Sequence, residues 1–144
     1  MAPAWQNVNT AVQDAVMRLP VRSVRVEVTH PDLEIFADPL LEKVFYNLID
    51  NALRYGGEKM TMIGVSAEED PDGLVITVRD DGAGIADGDR EHLFTKGFGK
   101  NTGFGLHLSR EILSLTGISI VEDSSPGMGA RFRITVPKGA YRFR

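Results

Sequence analysis

Asn47 and Asn51 stand four residues apart in "NLIDNALRYGG" (47–57), a stretch that otherwise reads as the interior of an amphipathic helix. Asparagine is a poor helix former because its amide competes for backbone hydrogen bonds. On a helical wheel Asn47, Asn51 and Arg54 fall within an arc of roughly 60°. They lie beside a broad apolar face of Leu41, Val44, Phe45, Leu48, Ile49 and Ala52. The arc is either a solvated polar face, or neutral oxygen ligands and a guanidinium lined up for a metal–phosphate group. Magnesium takes oxygen ligands and usually keeps several waters, so one asparagine carbonyl plus phosphates is a workable set.

A second stretch, "VRDDGAGI" (78–85), ends a strand in two aspartates followed by Gly-x-Gly. The glycines allow a sharp turn and a close approach of backbone to a ligand. The segment is either a plain Asp-Gly turn closing a hairpin or a carboxylate delivered to the mouth of a glycine turn. In the second reading the carboxylate can accept a hydrogen bond from an exocyclic amine such as that of adenine. The third stretch, "LFTKGFGKNTGFGLHL" (93–108), is glycine-rich, carries Lys96 and Lys100, and runs into a helix. Backbone N–H groups at a helix start form an anion site, although a surface loop with incidental lysines has the same composition. The Gly-Lys-Ser/Thr ending of a P-loop is missing. No βαβ unit surrounds the glycines, so the dinucleotide fingerprint is excluded as well.

The elements that must hold these stretches follow from periodicity. Residues 1–7 read as a loose lead-in. Apolar residues at helical spacing predict a helix over 8–19, ended by Pro20. Strict alternation predicts a strand over 23–30, and a second over 32–38 after a Pro-Asp turn, the two as a hairpin. Asp38 and Pro39 read as N-cap and first position of a helix that runs to about Arg54 and stops at Gly56-Gly57. Strands at 59–69 and 74–81 flank Pro71-Asp72-Gly73, a glycine-rich region covers 82–105, a helix 104–116 closes at Gly117, and strands at 118–123 and 130–136 finish the chain. Strands come in adjacent pairs rather than singly between helices. The fold class is therefore α+β: a two-layer α/β sandwich with about three main helices on a mixed, mostly antiparallel sheet of about five or more strands.

The chain has 144 residues, a net charge of −4 and no cysteine. That length fits a single domain, 1–144, and buries roughly two-thirds of the surface of the unfolded chain. Without cysteine, disulfides, thiolate metal sites and a cysteine nucleophile are excluded. The acidic balance gives no support for a nucleic-acid partner. No apolar run approaches a membrane span and the N-terminus lacks a signal-peptide core, so a cytoplasmic location without membrane contact is expected.

Together the three stretches resemble the ATP-binding catalytic domain of sensor histidine kinases, in the superfamily shared with gyrase, the Hsp90 chaperones and MutL. "NLIDNALRYGG" is similar to the N box, "DDGAGI" to the G1 box, "LFTKGF" to the F box and "TGFGL" to the G2 box. "GMGARFRITVP" resembles the last glycine box with its closing strand. The resemblance spans about residues 5 to 138, and "GKNTGFGLHLSREIL" is most like multi-sensor kinases of methanogenic archaea. It implies ATP and Mg2+ as cofactors. Asn51 would be the magnesium ligand, Asn47 would face the phosphates or their ordered water, Arg54 would reach a phosphate, and Tyr55 would lie against adenine or sugar. Asp80 would bind the adenine amino group, with Gly82 and Gly84 allowing close approach and Ile85 lining the base pocket. Residues 86–103 would form the ATP lid, with Phe94 and Phe98 as anchors and Lys96 and Lys100 near the phosphates. Thr102, Gly103, Phe104, Gly105 and Leu106 would form the phosphate-binding turn. The sequence departs from the pattern at Asn101, where a glycine is usual, and at Ala130, where a threonine or serine is usual.

ATPases of the superfamily carry a glutamate four residues before the metal asparagine. Here that position is Asn47, whose amide cannot serve as a general base. No residue of the chain stands out as a catalytic base; Asn47 and Lys100 would position phosphate or water. The resemblance therefore implies a kinase whose nucleophile is a histidine elsewhere. None of His30, His92 and His107 is followed by the acidic-hydrophobic-basic run of a phosphoacceptor, and ordinary packing or surface roles suit all three. The implied partners are a phosphoacceptor and dimerisation domain of the same kinase and a downstream response regulator, and the isolated chain should be a monomer. The alternatives are an ATP hydrolase of the gyrase or Hsp90 kind and a nucleotide-binding regulatory module without phosphotransfer.

Overall fold

The computed structural model describes residues 2–95, 105–125 and 127–144. The element order is β1 (Ala4–Asn7), α1 (Val8–Met17), β2 (Arg25–Val28), β3 (Leu33–Ala37), α2 (Leu41–Tyr55), β4 (Met62–Asp70), β5 (Gly73–Asp80), the single turn α3 (Asp87–Arg90), α4 (Gly105–Ser114), β6 (Ser119–Glu122), β7 (Arg131–Pro137) and β8 (Tyr141–Phe143). A five-stranded sheet runs in the order β2-β4-β5-β7-β6, and a three-stranded sheet in the order β1-β3-β8. Among the described residues β2–β4 is the one parallel pair and the other pairs are antiparallel. The expected α+β sandwich is the one observed.

α2 is the spine. Its buried residues are the six the wheel assigned to the apolar face: Leu41, Val44, Phe45, Leu48, Ile49 and Ala52. They pack with Ile63 and Val65 of β4, Leu74, Ile76 and Val78 of β5, and Phe132 and Ile134 of β7 in one continuous core. Fully burying a side chain of this size stabilises by roughly 1.5–3 kcal/mol. α1 and α4 both pack against α2. The Asn7 side chain caps α1 by accepting from Thr10 N at 2.8 Å.

Three local expectations are corrected. Residues 1–7 are not a loose lead-in throughout, because Ala4–Asn7 pair antiparallel with β3. The strands at 23–30 and 32–38 do not form a hairpin. β2 joins β4 in the large sheet, while β3 starts the small one, where Leu33, Ile35 and Ala37 are buried in the shared core. The Asp38-Pro39 dipeptide makes a turn before α2 rather than its cap: the Asp38 carboxylate accepts from Leu40 N at 2.9 Å and its carbonyl from Leu41 N at 3.0 Å. β8, which closes the small sheet, is an added strand. Its Arg142 and the following Arg144 bond the buried Glu34 carboxylate at 2.7 and 2.6 Å.

Candidate functional site

Two stretches remote in sequence converge on α2, which carries the third. At its centre, the Asn47 side-chain NH2 donates to Gly105 O (2.9 Å) and to Ser109 Oγ (3.2 Å), while Ser109 Oγ itself donates to Gly105 O (2.8 Å). These bonds tie the first turn of α4 to α2, and Leu106 is buried beside them. A glutamate at position 47 would present acceptors to an acceptor carbonyl, so this contact requires the amide. One turn on, Asn51 makes no side-chain hydrogen bond to a described residue and is half-buried, which leaves its carbonyl oxygen available to a ligand. Arg54 Nε is held by both Asp50 oxygens at 3.0 Å. Tyr55 closes the helix, half-buried.

At the C-terminal end of α2, Gly56 meets the glycine turn after β5. Ala83 N donates to Gly56 O at 2.8 Å, and a Cβ on Gly82 would come within 2.5 Å of that same oxygen. Only glycine fits such an approach. The turn carries Gly84 at φ +80° and leads to Ile85, which packs on the core.

The two aspartates that end β5 have different fates. Both Asp81 oxygens are taken up by Thr61 and Met62: Thr61 N and Met62 N donate to Oδ1 at 2.8 and 3.0 Å, and the Thr61 hydroxyl donates to Oδ2. These bonds, led by that of the Thr61 hydroxyl, hold its pKa below the usual carboxylate range. Asp80 is 7% exposed. Its Oδ1 accepts from Gly82 N (2.9 Å) and Ala130 N (3.3 Å), whereas Oδ2 accepts nothing from a described residue. Burial pushes its pKa up, against the pull of those two N–H groups. Gly129, at φ +83°, lies so close over Asp80 that a Cβ there would stand 2.0 Å from the Asp80 carbonyl oxygen. Ala130, lacking the usual hydroxyl, thus contributes its backbone N–H to Asp80.

The base of the expected lid is anchored. Leu93 is buried, and the Phe94 ring meets Phe132 edge-on at 6.2 Å. The Arg110 guanidinium lies over the Phe94 ring, 4.0 Å from its centroid, and His107 Nδ1 lies 3.2 Å from Phe94 O. Lys96, Phe98, Lys100, Thr102, Gly103 and Phe104 lie outside the described residues. His30 is buried with Nδ1 2.8 Å from Pro31 O, and His92 is exposed. Sequence reasoning missed Gly129 and Ser109 as supports of the site. The glycine of "GMGA" was the one available signal for the first, and the i, i+4 spacing of Ser109 from Gly105 for the second.

A family profile described as "Histidine kinase-, DNA gyrase B-, and HSP90-like ATPase" matches residues 37–140. The chain belongs to this family. It is 35% identical over 136 residues to the sensor histidine kinase ZraS of Escherichia coli O157:H7, covering 90% of this chain and 30% of that protein. It is 34% identical over 107 residues to the sensor protein KdpD of Escherichia coli K12, covering 69% of this chain and 12% of that one. The ATP-binding domain of PrrB from Mycobacterium tuberculosis superposes with a TM-score of 0.74 at 26% identity, covering 95% of this chain and 98% of that one. The catalytic domain of the histidine kinase ThkA superposes with a TM-score of 0.78 at 24% identity, covering 96% and 97%. The chain therefore corresponds to the ATP-binding catalytic domain of a sensor histidine kinase and spans less than a third of the length of the curated relatives named here. Among the described residues no helix is long and apolar enough to cross a membrane.

Proposed function

We propose that this domain binds Mg-ATP and donates the γ-phosphoryl group to a histidine on a separate phosphoacceptor and dimerisation domain of the same kinase, with a response regulator downstream. The observation that carries the reading is Asp80: a buried carboxylate with one oxygen fixed by two backbone N–H groups and the other bonded to no described residue. That second oxygen accepts from the adenine amine, and the guanine edge, with a carbonyl in the amine's place, is rejected. Gly82 and Gly84 bring backbone to the base, and Ile85 and Tyr55 flank it. The first turn of α4, fixed by Asn47, offers N–H groups to phosphate from Gly105 and Leu106. Lys96, Phe98, Lys100, Thr102, Gly103 and Phe104 complete the phosphate and lid contacts in this reading, and Arg54 exchanges part of its pairing with Asp50 for a phosphate oxygen.

The donor set suits magnesium in one way only. Among the described residues no three His, Cys, Asp or Glu side chains gather to hold a metal. Asn51 would supply one neutral oxygen, with phosphates and waters as the rest. Bound there, the ion would neutralise phosphate charge during transfer.

The hydrolase alternative lacks a base. Asn47 donates both N–H groups to α4, and an amide does not take up a proton. The test is a calorimetric titration with ATP and GTP, with and without Mg2+, alongside phosphate release. The reading expects magnesium-dependent ATP binding, no GTP binding and negligible release. Steady phosphate release would favour the hydrolase, and equal binding of GTP would remove Asp80 from its role.

A further inference from the structure

The helices cover one face of the five-stranded sheet; the other face carries charge arranged against its own stability. Arg79 of β5 and Arg131 of β7 are direct cross-strand partners. Like charges directly opposite one another on a sheet are destabilising. Arg133, two residues along β7, stands on the same face. Asp123 pairs with two members of this group, accepting from Arg131 Nε at 2.8 Å and Arg133 Nη1 at 3.3 Å. Arg79 makes no hydrogen bond or ion pair with any described residue, and Arg25 and Glu27 on β2 compensate each other. The acids on this face are Asp123, shared by Arg131 and Arg133, Glu27, which is taken up by Arg25, and Glu68 further along β4, so the Arg79–Arg131–Arg133 cluster keeps a local excess of positive charge. Arg79 is also placed rather than waving. Its stem runs over Gly64 of the neighbouring strand, where a Cβ would meet Arg79 Cγ and Nε at 3.9 Å.

We infer that this open sheet face, centred on Arg79, Arg131 and Arg133, docks an acidic polypeptide segment. A local rule broken without gain to the fold marks a place kept for function. The guanidiniums are spread over adjacent strands about 4.8 Å apart rather than converging on one point, so they match carboxylates along a chain better than one small anion. Arginine pairs bidentately with carboxylates. The face lies opposite the one that carries Asp80 and α2, so this inference stands or falls apart from the proposed nucleotide chemistry.

The experiment is fluorescence anisotropy of the 144-residue chain with a labelled oligoglutamate peptide, at about 0.05 M and about 0.5 M salt. The wild type should bind at low salt and lose most of its affinity at high salt. The double variant Arg79→Gln, Arg131→Gln should weaken binding roughly tenfold or more. Its melting temperature should change little, because the repulsive pair and the exposed Arg131–Asp123 ion pair are lost together. Arg18→Gln, just past the end of α1 where it pairs with Glu42 of α2, should leave binding unchanged. No binding by the wild type, or equal binding by the double variant, would overturn the inference. So would displacement by inorganic phosphate at matching carboxylate concentration, or tighter binding of a single-stranded oligonucleotide of equal charge.

Discussion

Asp80→Asn separates recognition from stability. Asparagine is isosteric with aspartate, and its oxygen can keep the bonds from Gly82 N and Ala130 N. The NH2 then takes the place of Oδ2 and faces the adenine amine, donor against donor. Losing a hydrogen bond to a charged acceptor costs about 1.5–3 kcal/mol, so ATP affinity should fall about ten- to hundredfold. Stability moves the other way. Burial raises the Asp80 pKa, so the folded state holds this proton more tightly than the unfolded chain, whose value is near 3.9. Ionised Asp80 therefore weakens the fold. Stability from this group is fully present below the unfolded value and falls as pH rises through the folded one. At pH 7.5 the variant should melt at or above the wild-type temperature, and the gap should close below about pH 4. Calorimetric titration with ATP and a thermal melt at both pH values measure the two effects. Unchanged ATP affinity, or a variant that melts well below wild type at neutral pH, would refute the reasoning.

Asn51→Ala should leave the melting temperature nearly unchanged and abolish the magnesium dependence of ATP binding, checked by titration with and without chelator. Gly129→Ala forces a Cβ onto the Asp80 carbonyl at positive φ and should destabilise the domain by about 2 kcal/mol or more in urea unfolding. Glu34 is held below its usual pKa by Arg142 and then Arg144. Its contribution is therefore present above the unfolded value and lost as pH falls through the lower folded one. Glu34→Gln should speed amide exchange of Tyr141–Phe143 at neutral pH without changing ATP affinity.

What was legible in the sequence was what repeats locally. The 3.6 period of 41–52 gave α2 its buried face residue by residue, and that face fixed which edge Asn47, Asn51 and Arg54 occupy. The Asp70–Gly73 hairpin was legible because its turn chemistry is local: the Asp70 carboxylate accepts from Asp72 N and Gly73 N at 2.8 and 3.0 Å. Non-local pairing was not legible. The short strands "AWQN" and "YRF" carry no alternation long enough to register, and both exist because β3 offers them edges. The parallel pairing of β2 with β4 crosses an intervening strand and helix, so adjacency in sequence pointed to the wrong partner. The difference between Asp80 and Asp81 rests on Thr61, twenty residues upstream, and on Gly129 folding over from β7; no spacing rule in "VRDDGAGI" contains either.

The most direct test of the account is phosphotransfer. The chain is incubated with γ-labelled ATP, Mg2+ and the phosphoacceptor domain of its parent kinase. The account predicts acid-labile, base-stable label on the acceptor histidine, dependent on magnesium, lost with Asn51→Ala, and little free phosphate when the acceptor is omitted. Label that never reaches the acceptor, with phosphate released at the same rate whether or not it is present, would contradict it.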